Sequence, residues 1–563
     1  MFRASLPIAL LVLTLLAPGL SAPRTAEAAT ITIINADGAG EGFNDPTPVA
    51  PVGGNAGTTR GAQRLNVFNQ AASIWGALLP SSVGIQVVAK FDPQFCTSNS
   101  AVLGSATPQT AETDFPGAEF PNTWYFQALA NKLAGVDRDP APDIAATFNS
   151  DVDNSTCLGG VDWYYGFDGN EGPHVELLPV VLHELGHGLG FATLASSSGQ
   201  LLLNIPDIFN RFMYDKTFGL HWNEMTDGQR NLSRGNTGNL VWDGFATTFR
   251  AKSFLSPRRE VEVHTPAFWA GVYETPQALF GPPLTTAGIT AEVVEVLDAS
   301  GSPDACQPIL NGAALNGKIA YIDRGGCTNT SKVAAAQAAG AIAVIIVNNV
   351  AGPPFQMTGT DPTITIPSVM ISGEEGELVR EDVQAGGTIV TLRRNDAIRS
   401  GTHPDGQVRL YAPAVVEPGS SLSHFDVTAI PDLLMEPAIN DGLHNDVDLT
   451  REVFEDIGWL PRLTGVAEEN AAPRFRVASA PNPFRPSTVI SLELPSGGAT
   501  RVEIYDPQGR LVKRLVDGWL PVGRHGVTWD GTDASGRRVA AGVYFTRIVS
   551  NGVRAGQRLV KLD

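Results

Sequence analysis

Residues 183–191 read HELGHGLGF. His183 and His187 are four apart, so on a helix both imidazoles project from one face, one turn apart, and reach a single ion. Neutral imidazole binds zinc at about 2.0–2.1 Å, and three protein ligands leave a fourth position for water. Glu184 adjoins the first histidine without ligating, and its carboxylate reaches that water as a general base. The implied chemistry is hydrolysis of a carbonyl compound, with Zn2+ as cofactor. The apolar run LLPVVL precedes the motif and Gly190 follows it, so a buried helix is predicted from Leu177 to Leu189. A structural helix carrying two solvated histidines is the bland alternative, and the apolar run argues against it.

A third ligand must come from elsewhere. The short metzincin pattern H-E-x-x-H-x-x-G-x-x-H has Gly190 in place here, but Thr193 stands where its last histidine would be. Downstream lie His221, His264, His403, His424, His444 and His525, together with glutamates such as Glu224. Residues 421–437 read SLSHFDVTAIPDLLMEP and residues 448–459 read DLTREVFEDIGW. With the HExxH helix, these segments resemble the leishmanolysin family. In that family the third histidine lies far beyond the helix, across an insertion, and a Leu-Met-x-Pro turn packs its methionine beneath the metal. The resemblance implies His424 as third zinc ligand, Met435 as the methionine of the turn and 448–459 as the closing helix. It also implies endopeptidase activity on protein or peptide substrates. Before residue 160 the resemblance is weak.

Around this motif the chain reads as alternating elements. Thr30 to Asn35 is predicted as a strand, Gly61 to Leu79 as an amphipathic helix, and Val83 to Phe91 and Asp143 to Phe148 as further strands. From 260 to 396 the character changes. GKIAYIDRGGC (317–327), KVAAAQAAGAIAVIIVNN (332–349) and IPSVMIS (366–372) supply strand, helix, buried strand and strand. These segments resemble the protease-associated (PA) domain, which the family resemblance treats as a non-catalytic insert for substrate access or partner binding. After residue 478, short alternating strands sit between Gly, Asp and Asn turns, the pattern of a small β-sandwich. The PNPF and GVYF segments there resemble the immunoglobulin-like domain of the flagellar hook-capping protein.

The expected architecture is therefore an α+β multidomain chain. A metzincin-like α/β catalytic domain (29–259 and 397–462) is interrupted by an α/β PA domain (260–396). A linker (463–477) and a C-terminal β-sandwich (478–563) follow. Length agrees, since 563 residues exceed one core. Charged Met1-Phe2-Arg3, apolar Leu6 to Ala17 and small Ala26-Glu27-Ala28 read as a signal peptide over residues 1–28. The apolar run is too short to span a bilayer, so no membrane span is expected. Secretion fits the four cysteines, for which the pairs Cys96–Cys157 and Cys306–Cys327 keep each bridge inside one domain. Surface attachment through the C-terminal unit is a further expectation. A net charge of −19 and the lack of a basic run argue against nucleic acid as partner. Two other readings compete: a non-catalytic envelope binding protein with a peptidase-like fold, and a gluzincin-type site with Glu224 as ligand.

Overall fold

A computed structural model describes residues 28–461, except 351–352 and 441, and residues 476–562, except 481–483, 495–497, 508, 521–522 and 551–552. The expected signal peptide except Ala28, nearly all of the linker and most of the PNPF segment lie outside the described residues. The chain divides into two compact units, one ending at Arg462 and one beginning at Leu463.

In the first unit, three parallel strands, Ile31–Asn35, Ile85–Asp92 and Ile144–Asn149, form a sheet in that order. A fourth strand, Gly104–Pro108, adds antiparallel to the last and forms the edge. The Ile85–Asp92 strand alternates buried and half-exposed residues along its whole length, as a sheet covered on one face requires. Helix Arg60–Leu78 covers that face, started by Thr59, whose hydroxyl accepts from Ala62 N at 3.2 Å. The motif helix is Leu177–Leu189. Pro179 is tolerated because the first turn has no intrahelical partner for its missing N–H. Gly190 ends the helix at φ 125°, a backbone angle that L side chains rarely adopt.

One hydrophobic core draws on two separate stretches of sequence, from Ala29 to Leu255 and from Val408 to Trp459. The stretches also share a four-stranded sheet, in which Val408–Arg409 pairs with Leu240–Trp242. Between them, residues 257–399 build a sheet of seven strands with packed clusters of their own on its faces. Its four parallel strands, Ile289–Glu295, Ile319–Asp323, Ala343–Asn348 and Ser368–Ser372, run side by side. The long strands Pro257–Thr265 and Ile389–Arg399 pair antiparallel, so this sheet reaches three residues beyond the 260–396 segment at either end. The chain enters and leaves at one place: Ser400 N donates to Ser256 O at 2.9 Å. An inserted body with adjacent ends leaves the surrounding core uninterrupted.

Both disulfides expected from the sequence are present, Cys96–Cys157 and Cys306–Cys327. In the second unit, two antiparallel sheets of three and four strands enclose a core that includes Ile490, Val502, Trp529 and Ile548. No helix among the described residues is long and apolar enough to cross a membrane.

Candidate metal centre

The first two histidines lie on the motif helix as the i, i+4 spacing requires, and His424 arrives from an irregular segment. That segment is fixed by backbone pairing: Leu422 N donates to Tyr411 O at 2.9 Å and Tyr411 N donates to His424 O at 2.9 Å. Phe425 beside it packs edge-on against Phe191, which follows the motif helix, at 4.9 Å between ring centroids.

The three Nε2 atoms form a nearly equilateral triangle. His187 lies 3.1 Å from His183 and 3.2 Å from His424, and His424 lies 3.3 Å from His183. Each Nδ1 meets a backbone carbonyl: His183 meets Leu434 O at 2.6 Å, His187 meets Phe191 O at 2.8 Å and His424 meets Ser420 O at 2.6 Å. A carbonyl only accepts, so every Nδ1 carries the proton and every Nε2 turns a lone pair inward. Three neutral imidazoles with converging lone pairs repel one another unless a cation lies between them. Tetrahedral ligands at about 2.0–2.1 Å stand roughly 3.3 Å apart, so the observed spacings fit zinc. Burial, opposed by the backbone hydrogen bonds, holds His183 down to about 3 and His187 down to about 4, and keeps His424 well below the ordinary histidine range. All three imidazoles are therefore held neutral at physiological pH, the form that metal binding needs.

Glu184 is buried beside this triangle. Burial pushes its carboxyl up to about 8, and a backbone hydrogen bond from Ala106 pulls the other way. Ala106 belongs to the edge strand. Asn149 N donates to Leu103 O and Gln109 N donates to Asp143 O, so the odd-numbered residues bond into the sheet. The even-numbered ones, Ala106 among them, direct their backbone groups outward. Gly104 on the same strand leaves room: a Cβ there would stand 3.2 Å from Glu184 Cγ.

Met435 is fully buried, with its sulfur against the motif helix at Gly186. Met435 O accepts from Phe425 N at 2.7 Å, which ties the turn to the residue after His424. Two tryptophans hold the helix from other sides. Trp75 donates to Leu182 O at 3.1 Å, and Trp459 donates to Leu189 O at 2.8 Å, satisfying a carbonyl that the helix end leaves unpaired. The last helix, Thr450–Ile457, precedes Trp459.

The other histidines go elsewhere. His221 pairs with Asp243 at 2.9 Å and with Glu224. His264 meets Thr391 Oγ1 at 2.7 Å within the seven-stranded sheet. His403 sits beside Asp405, His444 pairs with Glu176, and His525 lies in the second unit on strand Gly523–Trp529. Thr193, at the position of the missing third histidine of the short pattern, donates to Asp207 Oδ2 at 2.8 Å. The sequence did not point to Ala106 or to the carbonyls of Leu434, Phe191 and Ser420, because backbone groups carry no side-chain signal.

Comparison with known proteins assigns two parts of the chain. Residues 289–379 match the PA domain family and residues 484–552 match the FlgD Ig-like domain family. The protein is thus a mixed α/β multidomain chain with a PA domain and a C-terminal Ig-like domain. A PRADC1-like protein of Drosophila melanogaster is 37% identical over 89 residues, covering 15% of this chain and 45% of that protein. A zinc aminopeptidase of Bacillus subtilis, BSAP, aligns at 26% identity over 27% of this chain and 35% of its own, with a TM-score of 0.20. FlgD from P. aeruginosa aligns at 29% identity over 13% of this chain and 60% of its own, with a TM-score of 0.12. The chain spans less than half the length of the curated relatives it matches.

Proposed function

We propose that this chain is a secreted zinc metallopeptidase of the metzincin type, similar to leishmanolysin, acting as an endopeptidase on extracellular proteins or peptides. The observation that carries this reading is the meeting of three imidazole Nε2 atoms at 3.1–3.3 Å, each with its Nδ1 committed to a carbonyl, beside a buried glutamate. His183, His187 and His424 hold the zinc. When bound, the ion supplies Lewis acidity to a scissile carbonyl and lowers the pKa of the attacking water towards about 7.

Everything else is the work of this chain's own groups. With a cation held by the three histidines favouring its ionised form, Glu184 would take the proton of the attacking water on its carboxylate and pass it to the leaving amine. Ala106 N–H orients that carboxylate, and the outward backbone groups of Gly104–Pro108 align an extended substrate main chain along the sheet edge. Met435 supports the helix face from which His183 and His187 project. Residues 29–259 with 397–462 act as the catalytic domain. The PA segment 260–396 is an insert controlling access or partner binding, and 478–563 is an appended module for export or surface retention. Two disulfides and the shared core of the flanking stretches support this division.

Mass-spectrometric mapping of cleavage sites in a peptide library, with and without a chelator, tests the reading. Internal, chelator-sensitive cleavage is expected. Release of N-terminal residues alone would indicate an aminopeptidase, and no cleavage by zinc-loaded protein would support the binding-protein alternative.

A further inference from the structure

The far end of the motif helix carries a second group of ligand-type side chains. Glu176 is the residue immediately before the helix, Glu171 lies in the loop leading to it, and His444 comes from the segment between Met435 and the last helix. One oxygen from each carboxylate and one imidazole nitrogen lie within 4.8 Å of one another. Glu176 precedes His183 by seven residues, about 10 Å along the helix axis at 1.5 Å per residue. The two clusters are therefore distinct.

Their electrostatics are unbalanced. Glu176 is only 5% exposed. Its Oε2 meets His444 Nδ1 at 2.7 Å, but its Oε1 is buried without a hydrogen-bond partner. Glu171 Oε2 is likewise buried and unpartnered. Among the described residues neither carboxylate pairs with a lysine or arginine. Two carboxylates in a shielded site against one imidazole leave uncompensated negative charge, which is costly to bury. A divalent cation with two carboxylates and one neutral imidazole makes a neutral assembly and offers the buried carboxylate oxygens a partner. Gly169 closes the loop over this imidazole: it adopts φ +63°, and a Cβ there would stand 2.9 Å from His444 Cε1. The ring is thereby held in place on the loop side.

We propose that Glu171, Glu176 and His444 form a second metal site. The mixed nitrogen and carboxylate donor set suits a first-row transition ion such as Zn2+ or Mn2+ rather than calcium, which takes oxygen ligands. The ion clamps the loop before the motif helix to the segment before the last helix. This proposal does not rest on the peptidase reading.

Calorimetric titration of the untagged, chelator-stripped full chain with Zn2+ tests it, with Mn2+ and Ca2+ as parallel arms. Two zinc ions per chain are expected. Glu171→Gln/Glu176→Gln should bind one. His444→Gln should bind the second ion at least about tenfold more weakly, and His183→Ala/His187→Ala should still bind one. Circular dichroism checks folding. Should the double glutamine variant fail to fold, His444→Gln decides, because that side chain is 39% exposed and tolerates exchange. A His183→Ala/His187→Ala chain that takes no zinc ion, or Glu171→Gln/Glu176→Gln and His444→Gln variants that bind zinc with wild-type stoichiometry and affinity, would overturn the site. Tight Ca2+ binding equal in wild type and His444→Gln would overturn the imidazole as ligand.

Discussion

Gly186→Ala probes the packing of the motif helix against Met435. A Cβ at Gly186 would lie 2.8 Å from Met435 Sδ, 3.4 Å from its Cε and 3.8 Å from Trp75 Cζ2. Comfortable heavy-atom separations are about 3.5–4.0 Å, so the thioether must retreat by roughly 1 Å. Met435 is fully buried and Trp75 blocks one side, leaving little space for that. Overpacking of this kind costs about 1–3 kcal/mol, against which Gly-to-Ala helix propensity returns about 1 kcal/mol. The more telling effect is on the ligand. Leu434, the neighbour of Met435, holds His183 Nδ1 through its carbonyl at 2.6 Å. Moving the turn loosens that imidazole, and loss of such a support weakens metal affinity about 10–100-fold. Met435→Ala alone opens a cavity costing about 2–5 kcal/mol. In Gly186→Ala/Met435→Ala the new methyl fills part of that cavity, so the double variant should be more stable than the two single effects added. Zinc titration and thermal unfolding of all four proteins read both quantities. Unchanged zinc affinity in Gly186→Ala, or strict additivity in the cycle, would refute the coupling.

Three further outcomes follow from the same geometry. Glu184→Gln should retain zinc while hydrolysis falls at least about a hundredfold; activity near wild type would remove Glu184 as the base. Asp207 is buried, and that burial pushes its carboxyl from 3.8 up to about 6. Its contribution favours the fold below about pH 4 and fades as pH climbs through 6, by up to about 3 kcal/mol. Asp207→Asn should therefore be most destabilised relative to wild type at pH 4, with the gap narrowing by pH 7; denaturation showing a widening gap would contradict this. Truncation after Arg462, where the first compact unit ends, should leave hydrolysis of small peptides intact, and loss of hydrolysis in a folded truncate would count against that division.

The motif helix was legible because two signals coincide there, an apolar run and a ligand spacing, with a glycine to end them. The parallel strands of the seven-stranded sheet were legible as continuous apolar runs; Ala343–Asn348 is buried at every position. Other parts left no such trace. The edge strand reads GSATP, without apolar alternation, since its residues stay small beside Glu184. Helix Gln127–Ala134 has only eight residues and leaves little trace beyond Gly135, which ends it at φ 70°. The sheet linking Leu240–Trp242 to Val408–Arg409 uses strands of two or three residues, too short for periodicity. His424 sits in irregular backbone, so no periodicity marks it; only the resemblance of 421–437 and 448–459 to the leishmanolysin family pointed to it. Glu171 and Glu176 gave no signal, and His444 was only one downstream histidine among several; the fold alone joins them.

Zinc content and peptide hydrolysis of His424→Ala, compared with His221→Ala and His264→Ala, test the central claim most directly. His424 is the residue whose Nε2 closes the triangle at 3.2 and 3.3 Å, whereas His221 is engaged by Asp243 and His264 by Thr391. His424→Ala should lose one zinc ion and all measurable hydrolysis, while the other two variants lose neither. A His424→Ala protein that keeps its full zinc content and its activity would contradict the account.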